Sequence, residues 1–426
     1  MGATFAQKVL ARAADREHAR VGEILTVRPA RLLSHDNTAA IIGKIEGELG
    51  EYGLDRADLP VVVLDHVAPA RDTKTAENHR RIREYAERHG VEDFYDVGEG
   101  ICHQVMVERA LARPGDVVVG SDSHTCTYGA LNAFATGIDR TEAAAVLLTG
   151  ETWFKVPPSI KVVLQGTLPR CSTAKDLVLT LIGRIGADGA AYRAVEFHGA
   201  LEGLSMDDRM TIANMGVEMG AKAAAFPVDE RTRAYLKGID PEWEESRAVW
   251  ADGDAEYDRV IEMDLEEIVP VAARPGRVDE VVPVTEVAGT PIEQVLIGTC
   301  TNGRLSDLRG AAAMLRDRQR APSVRLLILP ASRRVFEEAL EDGTITELSR
   351  AGGVVLPTGC GPCMGAHMGV LAPGETCFST SNRNFPGRMG TKEADIYLGS
   401  PLTAAASAVT GVIIDPRQMY PEGGGA

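Results

Sequence analysis

The sequence predicts an α/β protein of three successive domains built on mostly parallel sheets. Short β-branched runs alternate with longer helical stretches along all 426 residues, the pattern of strand–helix–strand units whose sheets are covered on both faces. That length exceeds one ordinary domain. Two breaks divide it. Val156-Pro157-Pro158 cannot continue a helix, and Arg274-Pro275-Gly276 follows an acidic, irregular stretch from Asp240 to Glu267. The expected domains are residues 1–157, 158–278 and 279–426.

Individual elements follow in order. Met1-Gly2-Ala3-Thr4-Phe5-Ala6 runs straight into a helical pattern. It lacks the apolar segment of a secretory signal and the Ser/Thr at position 6 that myristoylation needs. Val61–Leu64 and Val117–Val119 read as buried strands, Thr73–His89 as a helix stopped by Gly90, and Thr141–Leu148 as a helix. Ser205–Met219 reads as a helix, with Ser205 as N-cap and Asp208 completing an approximate capping box. Asn214 and Glu218 would share one face of it. Among Ile212, Ala213, Met215, Val217 and Met219, they are either buried for function or mark a wet face. The Gly-rich tail Pro421–Ala426 reads as loose. The longest apolar runs, Ala143–Leu148 and Leu326–Leu329, are far short of a membrane span, and a cytoplasmic location is expected.

Composition excludes some functions. The chain is 44% hydrophobic and 25% charged, ordinary for a globular protein, with aromatics at only 5%, so aliphatic residues must fill the core. Acidic residues outnumber basic ones by 61 to 45, a net charge of −16. That argues against nucleic-acid or anionic-membrane binding, while a small anion could still sit in a locally basic pocket. Seven cysteines, an odd number, argue against a disulfide framework and for metal or cluster ligation.

Five strand-like runs end in reactive side chains. Val61–Leu64 leads to Asp65-His66, and Val117–Val119 to Asp122-Ser123-His124. Val295–Ile297 leads to Cys300, Val354–Leu356 to Cys360 and Cys363, and Cys377–Thr380 to Asn382, Arg383 and Arg388. Ligands of parallel α/β sheets lie beyond the strands' carboxyl ends, so one shared site is expected. Cys300, Cys360 and Cys363 suit an iron–sulfur cluster with one iron lacking a protein ligand. With His367 they would equally suit structural zinc, and buried free thiols are a third reading. Each carboxylate beside an imidazole prepares a proton donor, and His103 is a further candidate; alone, any of these histidines could simply satisfy a buried carbonyl. Arg383 and Arg388 offer forks for substrate carboxylates, or surface salt bridges.

Gly298-Thr299-Cys300-Thr301-Asn302-Gly303, Cys360-Gly361-Pro362-Cys363-Met364-Gly365 and Ser379-Thr380-Ser381-Asn382-Arg383-Asn384-Phe385-Pro386-Gly387-Arg388, with Gly120-Ser121-Asp122-Ser123-His124-Thr125, resemble the aconitase superfamily over essentially the whole chain. The length and Leu33-Ser34-His35-Asp36-Asn37-Thr38 resemble members whose large subunit is a separate polypeptide. The resemblance implies three domains around a central [4Fe–4S] cluster on Cys300, Cys360 and Cys363, one iron being free of protein ligands. By motif position it implies Asp65, His66, His103, Asp122 and His124 around a leaving hydroxyl. Glu218 would stand with them and Asn214 near the cluster. Ser123, Asn382, Arg383 and Arg388 would hold substrate, and His35 would line its pocket. Cys102, Cys126, Cys171 and Cys377 match no ligand position.

The implied activity is isomerisation of a 2-hydroxy acid by dehydration and rehydration. The substrate would be 2-isopropylmalate, giving 3-isopropylmalate in leucine biosynthesis, or alternatively homocitrate in lysine biosynthesis or the substrate of another aconitase-type dehydratase. In fused relatives a further domain carries a catalytic serine, in Ser-Ser-Arg, and another substrate arginine. No Ser-Ser-Arg occurs here, so a small subunit is expected to bring both, in a heterodimer or heterotetramer. Two other classes stand against this reading: an iron-responsive RNA binder, which the charge disfavours, and a zinc protein.

Overall fold

The computed structural model describes residues 2–419; the tail expected to be loose lies outside them. Three sheets dominate. The first is wholly parallel, in the order Asp93–Tyr95, Pro60–Val63, Arg31–Ser34, Val117–Gly120, Phe134–Gly137. The second, also parallel, runs Ala223–Ala225, Ala194–Gly199, Ser159–Gln165, Arg259–Asp264. The third has a parallel body of Asp395–Gly399, Thr376–Ser379, Gln294–Gly298, Arg325–Leu329 and Val354–Val355. Two antiparallel strands, Val271–Ala273 and Val281–Pro283, extend it beside Asp395–Gly399. Val271–Ala273 precedes residue 278, so a division drawn by sheets places it with the third unit.

The strands read from sequence as continuous apolar runs are buried on both faces, as in Pro60–Val63 and Val117–Gly120. Thr73–His89 forms as read: the Asp72 side chain accepts from Thr75 N at 2.8 Å, and Gly90 ends the helix at φ +62°. One apolar core contains residues of all three sheets, including Val61, Val162 and Leu296. This core packs the three sheets together, and the carboxyl ends of the first and third face a common cavity. No described helix is long and apolar enough to cross a membrane.

Ser205–Met219 departs from the reading. The capping box of Ser205 and Asp208 is present, but the α-helix covers only Met206–Asn214. A 3₁₀ turn, Met215–Met219, follows and closes on Gly220 in the left-handed region. With about three residues per turn, Asn214 and Glu218 do not share a helical face. Gly216 packs directly on Ala224, where a Cβ would collide. Both polar side chains are nevertheless buried, so neither marks a wet face.

Asn132 secures the 3₁₀ segment Ser123–Leu131, which carries His124. It is fully buried and sits at φ +65°. Its Nδ2 donates to the carbonyls of Phe226 (2.9 Å) and Val249 (2.8 Å), and its Oδ1 accepts from Val249 N at 3.0 Å. Asn132→Ala should lower stability by about 2–4 kcal/mol, since it orphans buried backbone groups and places a Cβ residue less tolerant than asparagine in the left-handed region. Asn132→Gly, which keeps the backbone unstrained, should cost less. Urea unfolding of the two variants checks both the loss and the order.

Candidate active site

The strand ends converge on one cavity of about 210 Å³. His35, His66, His103, Asp122, His124, Cys300, Cys360, Cys363, Asn382, Arg383 and Arg388 line it, with Ile101 and Met364. Asp65, Asn214 and Glu218 stand one layer back, each bonded to a lining group. Ser123 is half-buried, its Oγ 3.5 Å from His124 Nδ1.

Asp122 organises one wall. Its Oδ1 lies 2.7 Å from His103 Nε2 and accepts from His124 N at 2.7 Å, while its Oδ2 lies 3.3 Å from His66 Nε2. His103 Nδ1 meets Tyr128 Oη at 2.9 Å. His66 Nδ1 lies 2.6 Å from Asp65 Oδ1, and Asp65 Oδ2 accepts from Cys102 N at 2.8 Å. Burial disfavours a charged His66, but Asp65 and Asp122 outweigh it and raise its pKa well above the ordinary value. Burial likewise opposes ionisation of Asp122, yet His103, His124 and His66 hold its carboxyl well below the usual range. His35 stacks on His66, ring centroids 3.7 Å apart. Burial, then the neighbouring His66 charge, pushes its pKa down to about 4, so His35 is neutral at neutral pH. One wall thus holds a charged imidazole suited to giving a proton.

Glu218 organises the other wall. Its Oε1 lies 2.9 Å from His124 Nε2 and accepts from Arg383 Nε at 2.7 Å. Burial works against its charge, but these two partners keep the carboxyl below its usual value. Arg383 therefore spends its Nε on Glu218, and no hydrogen bond engages its two terminal nitrogens among the described residues.

All seven cysteines are free and buried. Asn214 Nδ2 and Asn382 Nδ2 point at Cys300 Sγ, at 3.3 and 3.4 Å. Arg388 Nη2 donates to Cys363 Sγ at 3.5 Å. A hydrogen bond from Cys360, with Arg388 adding its charge, holds the Cys363 thiol well below its usual range. Burial, reinforced by Cys363, raises Cys300 to about 12. Amide and guanidinium donors aimed at sulfur are the surroundings a thiolate cluster needs. Two groups of metal-capable atoms lie within 4.8 Å of one another, His35-Asp36-Asp65-His66 and His103-Asp122-His124; the three thiols do not form a third among the described residues. The turn that presents Cys300 is tense. Gly298 takes φ +151°, where a Cβ would strike the Leu329 carbonyl, and β-branched Thr299 holds φ +74°.

Sequence reasoning missed Asp36, His79 and Tyr128. Asp36 accepts from Asp65 N (3.1 Å), His66 N (2.7 Å) and Val67 N (3.1 Å), and its Oδ1 lies 2.7 Å from His79 Nε2. It stood in the quoted Leu33–Thr38 motif, next to His35. His79 and Tyr128 left no signal, since nothing local marks a helix face or a 3₁₀ turn as facing a distant carboxylate.

Burial opposes Asp36's charge, but His79 and the backbone N–H groups hold its carboxyl well below the usual range. A carboxyl depressed on folding stabilises above its unfolded pKa, about 4, and that contribution fades as pH falls below it. Asp36→Asn should thus cost about 2–3 kcal/mol at pH 7. The gap from wild type should narrow on acidification below about pH 4, measured by urea unfolding across pH.

Comparison with known proteins agrees with the geometry. The chain is 49% identical over 421 residues to "3-isopropylmalate dehydratase large subunit 1" of Methanopyrus kandleri, covering 98% of this chain and 99% of that protein. It is 48% identical to large subunit 2 of the same-named enzyme from Archaeoglobus fulgidus and 46% to the Oleidesulfovibrio alaskensis large subunit, covering 98% of this chain and 100% of each relative. The family model "Aconitase family (aconitate hydratase)" matches residues 7–411, and the chain belongs to the aconitase family.

Proposed function

We propose that this chain is the large subunit of a 3-isopropylmalate dehydratase, a hydro-lyase that interconverts 2- and 3-isopropylmalate in leucine biosynthesis. The observation that carries the reading is the single cavity where three buried thiols face a charged imidazole and two arginines, in a chain 45–49% identical to proteins of that name. Cys300, Cys360 and Cys363 would hold a [4Fe–4S] cluster, with Asn214 and Asn382 donating to Cys300. When bound, a cluster with one iron free of protein ligands supplies a Lewis acid to substrate oxygen.

The chain's own residues handle position and protons. Arg383 and Arg388 hold substrate carboxylate, with Arg383 braced by Glu218. His66, kept charged by Asp65 and Asp122, gives a proton to the departing hydroxyl. As the C–O bond breaks, the leaving group departs as water. His103 stands behind the same Asp122, its other nitrogen fixed by Tyr128. The α-proton leaves toward a base on the opposite face. A small subunit would bring that base, a serine, and a further arginine. The relatives' "large subunit" names support such a partner, as does exposed Phe385 between the two arginines.

Anaerobically reconstituted chain, combined with a small subunit from a 3-isopropylmalate dehydratase, should convert 2-isopropylmalate and hydrate its unsaturated intermediate. Turnover of homocitrate alone would overturn the substrate assignment, and full turnover without a partner would place the base in this chain. Cys360→Ser should abolish iron and sulfide binding, whereas Cys171→Ser should retain both, by direct analysis. Arg383→Lys keeps charge but loses the fork, so kcat/KM in the complete complex should fall about 10- to 100-fold.

A further inference from the structure

Two buried cations stand just behind the cavity and take no part in the chemistry above. Lys175 is fully buried in the first turn of helix Ala174–Ile185. Its Nζ donates to the carbonyls of Thr380 (2.8 Å) and Ser381 (2.6 Å). Arg304 is buried too. Its terminal nitrogens donate to the carbonyls of Cys300 and Thr301, both at 2.8 Å, while its Nε is buried without a partner. Among the described residues neither side chain forms an ion pair with a carboxylate. Asp176, next to Lys175, spends its carboxylate on Thr173 and on Val271 N.

A lysine in this position is triply disfavoured. It is out of water, it sits at the positive end of a helix, and it lacks a countercharge in contact. Burial pushes its pKa down to about 7, against Asp307, Cys300 and Cys363, which favour the ammonium form. Two of those three are the thiols assigned above as ligands. Three thiolates and an iron–sulfur core together carry net negative charge, which a low-dielectric interior leaves largely unscreened. The carbonyls Lys175 grips belong to the residues leading into Asn382 and Arg383. Arg304 in its turn holds the carbonyls of Cys300 and Thr301, on the turn that presents the first thiol.

We propose that Lys175, seconded by Arg304, is the buried counter-cation of the thiolate site, a positioning residue that ties cluster loading to the order of the Thr380–Arg383 segment. The proposal rests on the reading of Cys300, Cys360 and Cys363 as cluster ligands. It makes a reversal of sign its signature. Without a cluster the lysine is a buried charge favoured by Asp307 but in contact with no carboxylate, which weakens the fold, and with one it is a compensated charge that strengthens it.

The test compares full-length wild type, Lys175→Met and Lys175→Arg, each as apo-protein and after anaerobic loading with iron and sulfide. Apo Lys175→Met should melt at or above the temperature of apo wild type. Loaded Lys175→Met should melt below loaded wild type and release iron to a chelator roughly tenfold faster. Lys175→Arg should restore most of the retention. An equal fall in melting temperature in both states, or iron release unchanged from wild type, overturns the proposal. So does an apo Lys175→Met that fails to fold, because the lysine would then serve the fold itself. Wild type that takes up no iron or sulfide instead overturns the cysteine assignment beneath it.

Discussion

The carboxylate of Asp122 is shared among three histidines at the wall of the cavity, and the arrangement of the site depends on that sharing. A buried carboxylate is costly unless its lone pairs are filled. Asp122 fills them with His66, His103 and the backbone of His124. Each imidazole is turned in turn by a second partner: Asp65, Tyr128 or Glu218. The strand end at Gly120, the turn after Val63 and the helix holding His103 are therefore fixed relative to one another by polar bonds as well as by apolar packing. The sharing also separates charge states. His66 is held protonated by two carboxylates, while His35, stacked against it, is kept neutral.

Parallel strands make the convergence inexpensive. All strands of a parallel sheet end on one edge, so every loop that leaves that edge starts from the same region. The first sheet delivers His35, Asp65 and Asp122 from three adjacent strands, and the third delivers Cys300 and Asn382 from two. The rigid part of each loop is short. Cys300 follows two backbone positions forced into positive φ, and its carbonyl is held by the Arg304 guanidinium. Strain of this kind persists only where surrounding bonds over-determine it.

Sequence reasoning read the α/β class and the strand-end clusters correctly because both are local signals: alternating runs, and reactive residues directly after them. Boundaries moved by a residue or two, as at Thr141–Leu148, which is helical over Arg140–Thr149. The tightening of helix Met206–Asn214 into a 3₁₀ turn was not legible, because its cause is tertiary, the close seat of Gly216 on Ala224. The second layer of the site was equally hidden. Asp36 could have been suspected from its neighbour His35, but His79, Tyr128 and Lys175 act across separations of tens to hundreds of residues. Periodicity carries no record of such contacts.

The antiparallel pair Val271–Ala273 and Val281–Pro283 bears on how separable the parts of this chain are. It is laid down before the body of the third sheet, yet it covers the edge of Asp395–Gly399, one of the last strands. A fragment cut at the sequence-level boundary, residue 278, would keep one of these strands and lose the other. The backbone of Asp395–Gly399 would then face solvent as an open, largely apolar edge, the kind of surface that recruits other strands. Fragments meant to carry the cysteine-bearing sheet alone must begin ahead of residue 271 to remain free of such self-association.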